Sequence, residues 1–408
     1  MQYLHSVSII IVCLTITFLL SENKKSIKYK SILIGLVCQF LFAYVFLNFS
    51  YLTKVFYFMN TLLENLNKAT LNAMQTVFGQ LANPPATNKF GYMLAIHGLP
   101  VLITISALSA VLTHWRILPF VINIFSLFFK RLFHIGSALG FSVTTNIVNG
   151  MTETPLVIRS YLKRFTRSEL FTLMLCGTSS ASCSVMFLYA LLLDSFIDTP
   201  IKHIFTASVM SLAGSLYMSR IMIPETQSLT ESYSMENESS ENTFSALYKG
   251  ILEGSKVAGI IIIMLIGTLS LVNMTNLLLS EINIGLLSEL TLQKILGFLF
   301  YPILWLLGIP SHEALLASTV LGTKIALNEI IGLQEFSTIQ NFLSSKTKII
   351  LLYSLVSFAN IGSIAILIGT YGVLIPKRRK EITSLAFKAV ITGLLVNLTN
   401  SAIIAILI

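Results

Sequence analysis

Two glutamates interrupt strongly apolar stretches of the sequence, each within a short polar motif. Glu153 lies in GMTETPL at 150–156, and Glu329 ends LNE at 327–329. A charged side chain at the centre of a bilayer costs roughly 2.5–3.5 kcal/mol even on lenient insertion scales, so such residues usually serve a substrate or an ion. Two carboxylates in two similar, interrupted segments predict a binding site at the interface of an internal repeat.

Four polar clusters accompany these carboxylates inside segments that are otherwise apolar. They lie at 144–153, 177–184, 322–329 and 357–363. Glycine and proline free backbone groups in mid-span, and the resulting half-helix ends can offer N–H and carbonyl groups to a ligand. The side chains of Thr152, Glu153, Glu329, Asn360 and Ser363 predict a small pocket rich in acceptors and hydroxyls. Such a pocket suits a neutral, polyhydroxylated molecule, because two unpaired carboxylates repel an anion.

Other interpretations of these polar residues remain open. Small and hydroxylated residues in membrane helices most often mediate helix packing, so the run at 177–184 does not define a site by itself. Lys324 could neutralise Glu329, although it lies five residues away and need not share its helix face. The histidines and cysteines are scattered and form no CxxC pair. We find no set of nucleophile, base or metal ligands, and therefore do not expect an enzyme.

The composition is that of a polytopic membrane protein. The 408 residues are 54% hydrophobic and only 11% charged, with a mean hydropathy of +0.80. The net charge of +9 does not predict nucleic-acid binding, because the basic residues sit in short loops between apolar spans. The first twenty residues lack a basic n-region and a cleavage site, so we expect a retained helix in a plasma membrane, most simply a bacterial inner membrane.

The apolar pattern predicts an all-α fold of about eight transmembrane helices, since about 20 apolar residues are needed to span a bilayer. The predicted spans are 4–21, 31–50, 92–113, 169–194, 201–222, 256–279, 347–369 and 386–408. Three amphipathic segments between them suit interfacial helices. These segments are 51–80, 115–133 and 284–306.

The basic loops predict the orientation of these helices. Lys and Arg concentrate on the cytoplasmic side, which assigns 24–30, 163–167 and 377–380 to that side and both termini to the other. The segments 134–165 and 308–344 must then enter and leave the membrane on one side. We expect them to be re-entrant helical hairpins, named hairpin 1 and hairpin 2, which are tolerated where they are buried or line a cavity.

These elements divide the chain into four parts. Residues 1–90 are expected to form peripheral N-terminal helices and an interfacial helix, and 91–222 a first repeat with hairpin 1. Residues 223–255 read as a polar, solvated cytoplasmic linker, and 256–408 as a second repeat with hairpin 2. Because the two hairpins enter from opposite sides, the repeats are inverted, which is typical of alternating access.

At its polar motifs the sequence resembles the concentrative nucleoside transporter family. The family's G-Q-T-E-x-P-L stands here as GMTETPL at 150–156, and G-T-K-x-x-L-N-E as GTKIALNE at 322–329. F-A-N-x-x-S-I corresponds to FANIGSI at 358–364, and P-x-R-R-x-E to PKRRKE at 376–381. The resemblance covers roughly 90–408. It implies a homotrimer in the lipid bilayer, in which each protomer holds a nucleoside between the two hairpins and two unwound helices.

The resemblance also implies a division of the site between nucleobase and ribose. The base side would be formed by Met151, Thr152 and Glu153, and the sugar side by Glu329, Asn360 and Ser363. Met151 stands where the family has glutamine, and a thioether cannot supply the paired donor and acceptor of an amide. We therefore expect a weaker or altered base preference.

The coupling ion implied by the resemblance is sodium. The matching ligand positions, of which the second in each pair contributes a backbone carbonyl, are Asn146 with Asn149 and Ser180 with Ala181. Hard cations prefer such oxygen ligands. We expect sodium-driven nucleoside uptake by alternating access, with no other cofactor. Coupling to protons through Glu153 or Glu329 is the main alternative, and a channel or a nucleoside sensor on the same fold is less favoured.

Overall fold

The computed structural model describes residues 2–84, 91–231, 242–281 and 291–408. These residues form seventeen α-helices, and no strand occurs among them. The all-α fold predicted from the sequence is therefore confirmed.

Three helices precede the first repeat. They are α1 (Gln2–Leu19), α2 (Tyr29–Asn48) and α3 (Ser50–Phe78). The third occupies the amphipathic segment predicted over 51–80 and buries only one side, including Phe56 and Leu63. The last residues of the predicted N-terminal part, 85–90, lie outside the described residues.

The first repeat begins with a π-helical turn and contains seven helices. They are α4 (Pro100–His114), α5 (Ile117–Phe133), α6 (Ser137–Val157), α7 (Arg159–Leu162), α8 (Arg167–Ser179), α9 (Cys183–Leu193) and α10 (Pro200–Met222). Helices α6 and α7 occupy hairpin 1. The predicted span 169–194 is divided into α8 and α9, so its polar centre lies at a break in the helix.

The second repeat presents the same order of elements. Its helices are α11 (Thr243–Glu281), α12 (Leu292–Leu306), α13 (Ser311–Ala326), α14 (Glu329–Ile339), α15 (Ser345–Leu355), α16 (Ile361–Leu374) and α17 (Arg379–Leu407). Each repeat thus runs from a long helix to an amphipathic helix, a hairpin, a broken helix and a final helix. The first residues of the predicted interfacial segment 284–306 lie outside the described part of the chain.

Five helical segments in the described residues are long and apolar enough to cross a membrane. They are Tyr29–Asn48, Leu94–His114, Arg167–Leu193, Thr243–Glu281 and Pro376–Leu407. The predicted span 4–21 contains a shorter apolar helix, His5–Leu19, and the predicted span 347–369 is divided between α15 and α16. The span 201–222 is α10, which is enclosed by other helices along nearly its whole length. Its serines, including Ser211 and Ser215, therefore face protein rather than lipid.

Helices α8, α10 and α17 form the centre of the molecule. They contact one another, and α17 also packs against α1, α15 and α16. Helix α8 is almost entirely buried, as is the second half of α17. Both broken helices are therefore anchored at this centre, because α8 belongs to it and α15 and α16 pack against α17.

The prediction of a polar linker over 223–255 is wrong at its C-terminal end, because α11 already begins at Thr243. Close packing on α4 supports this early start. A Cβ added at Gly250 would lie 2.6 Å from the Ser106 carbonyl oxygen, and one at Gly254 would lie 2.6 Å from Ile103 Cα. Residues 232–241 of the predicted linker lie outside the described residues.

The N-terminal end of the same segment, 223–231, named here the strap, is partly exposed but is held by hydrogen bonds to the rest of the protein. Thr230 donates from its backbone N–H to Glu169 Oε1 at 2.9 Å and from its hydroxyl to Oε2 at 2.7 Å. The Thr166 hydroxyl donates to Glu225 Oε2 at 2.6 Å. The strap therefore fastens the end of α10 to the turn between hairpin 1 and α8.

Candidate functional site

Hairpin 2 breaks immediately before Glu329. The backbone leaves the helical conformation at Leu327 and Asn328, and Asn328 Oδ1 accepts a hydrogen bond from Ile331 N at 3.0 Å. Glu329 is consequently the first residue of α14, where the partial positive charge of a helix N-terminus favours a carboxylate. Its side chain is buried, with 5% exposed. The short motif LNE thus supplies a break, a cap and a buried charge.

A second break, between α15 and α16, meets the first. Asn360 caps α16 through Oδ1, which accepts from Ser363 N at 2.9 Å and lies 3.1 Å from Ser363 Oγ. Its amide Nδ2 donates to Glu329 Oε2 at 2.9 Å. The Ser363 hydroxyl also contacts the Phe358 carbonyl oxygen. Three residues predicted for the sugar side therefore form one hydrogen-bonded group, named here the Glu329 cluster (Glu329, Asn360 and Ser363).

Lys324 takes a different partner from the one considered in the sequence analysis. Its side chain is completely buried, and its Nζ donates to Ser357 Oγ at 2.9 Å. Ser357 lies in the break between α15 and α16. The ammonium group thus holds the segment that carries Asn360, instead of forming a direct ion pair with Glu329.

Hairpin 1 breaks at Gly150, which has a φ of 81°. A Cβ there would lie 2.8 Å from Ser182 Cβ, and a Cβ at Gly177 would lie 2.7 Å from Met151 Cβ. Two glycines thus permit the break of hairpin 1 to lie directly against the break between α8 and α9. Met151 is buried in this contact.

Two of the predicted sodium ligands, Asn146 and Ser180, lie at this same contact. Asn146 Nδ2 donates to the Cys176 carbonyl and to Ser180 Oγ, both at 3.1 Å. Asn146 Oδ1 is buried and has no hydrogen-bond partner within the described protein, and the same holds for Thr145 Oγ1. Leaving a buried acceptor unsatisfied costs about 1–3 kcal/mol, so these oxygens fit a bound cation.

The two remaining predicted ligands lie close by in the chain. Ala181 is buried in the non-helical segment 180–182, where its carbonyl is outside the hydrogen-bond ladder of α8. Asn149 is half-buried and comes one residue before the break at Gly150. The neutral oxygens of this region suit a hard monovalent cation.

The base-side residues are less closely linked to one another. Thr152 and Glu153 are half-buried, and in the described structure neither bonds to the Glu329 cluster. Hairpin 1 nevertheless contacts α16, the helix that begins beside Asn360. The helix that carries the residues predicted for the base side therefore borders the helix that begins at the Glu329 cluster.

Sequence reasoning missed a group of buried polar residues on α17 and its neighbours. Asn397 and Asn400 lie in the final apolar span and are fully buried. Asn397 Nδ2 donates to Ser357 Oγ, and Asn400 Nδ2 donates to Ser211 Oγ at 2.8 Å. The signal that could have found them is the polar run NLTNS at 397–401, because amides inside a membrane span are rare.

Three family profiles match the chain. The C-terminal part of the Na+ dependent nucleoside transporters matches residues 203–405, and the N-terminal part matches 10–81. A gate domain described as nucleoside recognition matches 95–196.

Individual relatives and solved structures agree with these profiles. The uncharacterized transporter YutK of Bacillus subtilis (strain 168) is 35% identical over 96% of this chain and 96% of its own length. The nucleoside permease NupC of Helicobacter pylori is 30% identical over 98% of this chain and 96% of its own length. The inward-facing, substrate-bound structure of CNTnw is 30% identical and superposes with a TM-score of 0.90, covering 100% of this chain and 98% of that one. The chain therefore belongs to the concentrative, Na+-dependent nucleoside transporter family, whose members are multi-pass transporters of the plasma membrane and not enzymes.

Proposed function

We propose that this protein takes nucleosides into the cell by alternating access, in symport with sodium. The Glu329 cluster is the observation that carries the proposal. It buries a carboxylate, an amide and a hydroxyl together at the meeting point of two helix breaks. Ribose hydroxyls both donate and accept hydrogen bonds, so they can donate to Glu329 and accept from Asn360.

The nucleobase is assigned to hairpin 1. Thr152 and Glu153 supply a hydroxyl and a carboxylate beside α16, and both are half-buried. Met151 offers only a thioether and packs against Gly177. Base recognition then rests on fewer directional hydrogen bonds than an amide would provide, which supports an altered base preference.

Sodium is assigned to Asn146, Asn149, Ser180 and Ala181. The unpartnered Asn146 Oδ1 supports this assignment, since a cation would satisfy it. The ion would bridge hairpin 1 and the break after α8, directly beside Met151. Because it would order the base side, sodium and nucleoside should each strengthen the binding of the other.

Proton coupling is the second candidate, and the environment of Glu153 favours it. This carboxylate is half-buried in hairpin 1, and in the described residues it makes no hydrogen bond to the Glu329 cluster. A carboxylate in such a setting can exchange a proton during transport.

We also propose a homotrimer, as the family resemblance implies. The mass of the purified protein in detergent, measured by light scattering with the detergent subtracted, tests this. A monomeric or dimeric mass would contradict the proposal.

The central test is uptake of radiolabelled uridine and adenosine into proteoliposomes. An inward sodium gradient should drive concentrative uptake, whereas a proton gradient alone should not. Uptake driven only by protons would reverse the choice of ion. Absence of uptake under either gradient, in vesicles that contain folded protein, would contradict nucleoside transport.

A further inference from the structure

We propose that Lys324 is a positioning residue of the nucleoside site that acts through Ser357, an inference that rests on the proposed function. Lys324 lies in the last turn of α13, just before the break in hairpin 2. It touches neither Asn360 nor Ser363 through the hydrogen bonds of the described structure. Nor does it form a hydrogen bond with Glu329 there, so its hydrogen-bonded route to the substrate runs through the segment that it holds.

That segment is 356–360, between α15 and α16. It is non-helical, and its own backbone bonds are short-range, from Ser357 N to Leu355 O at 2.8 Å and from Asn360 N to Phe358 O at 2.9 Å. The bond from Lys324 Nζ to Ser357 Oγ, at 2.9 Å, ties it to hairpin 2. Because Asn360 ends this segment, the Lys324 ammonium group helps to orient the Asn360 amide towards Glu329.

Ser357 is also held from the opposite side. Asn397 Nδ2 donates to the same hydroxyl oxygen. A serine hydroxyl has two acceptor positions, so Lys324 and Asn397 occupy both. The break is therefore clamped between hairpin 2 and α17.

The clamp continues as a buried chain of hydrogen bonds to α2. The links are Ser211 Oγ to Asn397 Oδ1 at 3.3 Å, Asn400 Nδ2 to Ser211 Oγ at 2.8 Å, Gln39 Nε2 to Asn400 Oδ1 at 2.8 Å and Tyr217 OH to Gln39 Oε1 at 2.9 Å. Every member is buried. Hairpin 2 is thus connected through Ser357 to the centre of the molecule.

The Lys324 stem is fixed by its surroundings. A Cβ added at Gly332 on α14 would lie 2.9 Å from Lys324 Cβ, so α14 packs closely over the base of the side chain. A charge-assisted hydrogen bond is roughly twice as strong as a neutral one. Removing the ammonium should therefore loosen the break while leaving the Glu329 side chain in place.

The test compares two ligands on the full-length protein. Unlabelled uridine and 2′,3′-dideoxyuridine are each used to displace radiolabelled uridine, which gives the affinity of each ligand. The proteins compared are the wild type, Lys324→Met, Lys324→Arg and Ser357→Ala. We expect Lys324→Met and Ser357→Ala to weaken uridine binding about tenfold, the lower end of the range for one hydrogen bond to a charged group. Binding of the dideoxy compound should stay within about twofold, because it lacks the hydroxyls that Asn360 orients. Compared with Lys324→Met, Lys324→Arg should restore part of the preference for uridine over the dideoxy compound.

Two further variants isolate the route through Ser357. The double variant Lys324→Met/Ser357→Ala should be no weaker than the single variants, since residues acting in one network are not additive. Lys348→Met is the matched control. It removes a lysine of α15 that donates to Gln340 Oε1 at 2.9 Å, away from the break, and should bind both ligands normally.

Three results would overturn the positioning role. They are equal weakening of both ligands by Lys324→Met, unchanged binding of both, or additive losses in the double variant. If Lys324→Met does not fold, as judged by its melting transition in detergent, Ser357→Ala and Asn397→Leu carry the same comparison. A wild-type protein that binds no uridine would instead overturn the proposed function, so the two failures are distinguishable.

Discussion

The two halves of the candidate site differ in how far their polar groups are satisfied. In the second repeat, Glu329, Asn360 and Ser363 bond to one another and to helix ends. In the first repeat, Asn146 Oδ1 and Thr145 Oγ1 are buried without a partner in the described protein. The repeated order of helices therefore does not produce equivalent sites.

This difference suggests separate roles for the two halves. A cluster that is already hydrogen-bonded loses little conformational entropy when a ligand joins it, which favours firm recognition of the sugar. Unsatisfied buried acceptors favour whichever ligand supplies positive charge. The sugar side would be pre-organised, and the base and ion side would depend on the cation.

Replacing Glu329 should give the largest effect. Glu329→Gln removes the charge that the α14 N-terminus and Asn360 stabilise. We expect uridine affinity to fall about 10- to 100-fold, the range for hydrogen bonds to charged groups. Equilibrium binding to purified protein measures this. Glu335→Gln, the same substitution further along α14, is the control, and an equal loss there would contradict a specific role.

Replacing Asn146 should affect sodium dependence, which we assign to the half of the site in the first repeat. Asn146→Leu deletes the unpartnered oxygen, and the sodium concentration for half-maximal uptake should rise about tenfold. The ratio of uridine to 2′,3′-dideoxyuridine affinity should not change, because the sugar side is untouched. Asn146→Asp retains an oxygen and should preserve sodium stimulation. If sodium stimulation survives in Asn146→Leu, the proposed ion position is wrong.

Restoring an amide at position 151 should produce a smaller change. Met151→Gln supplies a paired donor and acceptor next to Thr152. The relative potency of uridine and adenosine as competitors should shift about two- to tenfold, as expected for one neutral hydrogen bond. An unchanged competition profile across bases would mean that residue 151 does not read the base.

The smallest effect is expected from replacing Glu22, which joins the two repeats outside the site. Glu22 accepts from Arg167 of α8 at 2.7 and 2.9 Å and from Lys388 of α17 at 2.7 Å. The hydrogen bond from Arg167 lowers the pKa of Glu22 from its ordinary 4.5 to about 2. The resulting stabilisation is present above pH 4.5 and is lost as the pH falls towards 2.

Glu22→Gln should therefore lower the melting temperature slightly near pH 7. The loss in free energy of unfolding should be less than about 1 kcal/mol, because the group is partly exposed. The difference from the wild type should shrink below pH 4.5. Because Glu22, Arg167 and Lys388 lie outside the candidate site, uridine selectivity and sodium dependence should both be preserved. A loss confined to one of them would tie Glu22 to one half of the site.

The grouping of Glu329, Asn360 and Ser363 was predictable because the information for it is local. Asn328 and Asn360 cap the helices that they begin, and a cap next to a buried polar residue is visible in the sequence. Lys324 shows the limit of that reasoning. Its neighbour in sequence, Glu329, was considered as its partner, but it bonds Ser357, which lies on another element. Only tertiary packing brings the two together.

The linker illustrates the same limit. Its polarity indicates solvent exposure, but Glu225 and Thr230 bond to residues near the end of hairpin 1. Polar residues satisfied by distant partners cannot be distinguished by composition from solvated ones. The early start of α11 was missed for a related reason, because its packing on α4 depends on glycines far along the chain from their contacts.

The strap at 223–231 has a consequence for the order of events during synthesis. Hairpin 1 leaves the ribosome well before Thr230, which bonds to Glu169. Chains generally fold from the N-terminus as they are made. The bonds between Thr230 and Glu169 of α8 can therefore form only after α10 has been translated. Insertion of α8 and its attachment to the strap are thus separate steps in biogenesis, and the second begins only after the whole first repeat has been translated.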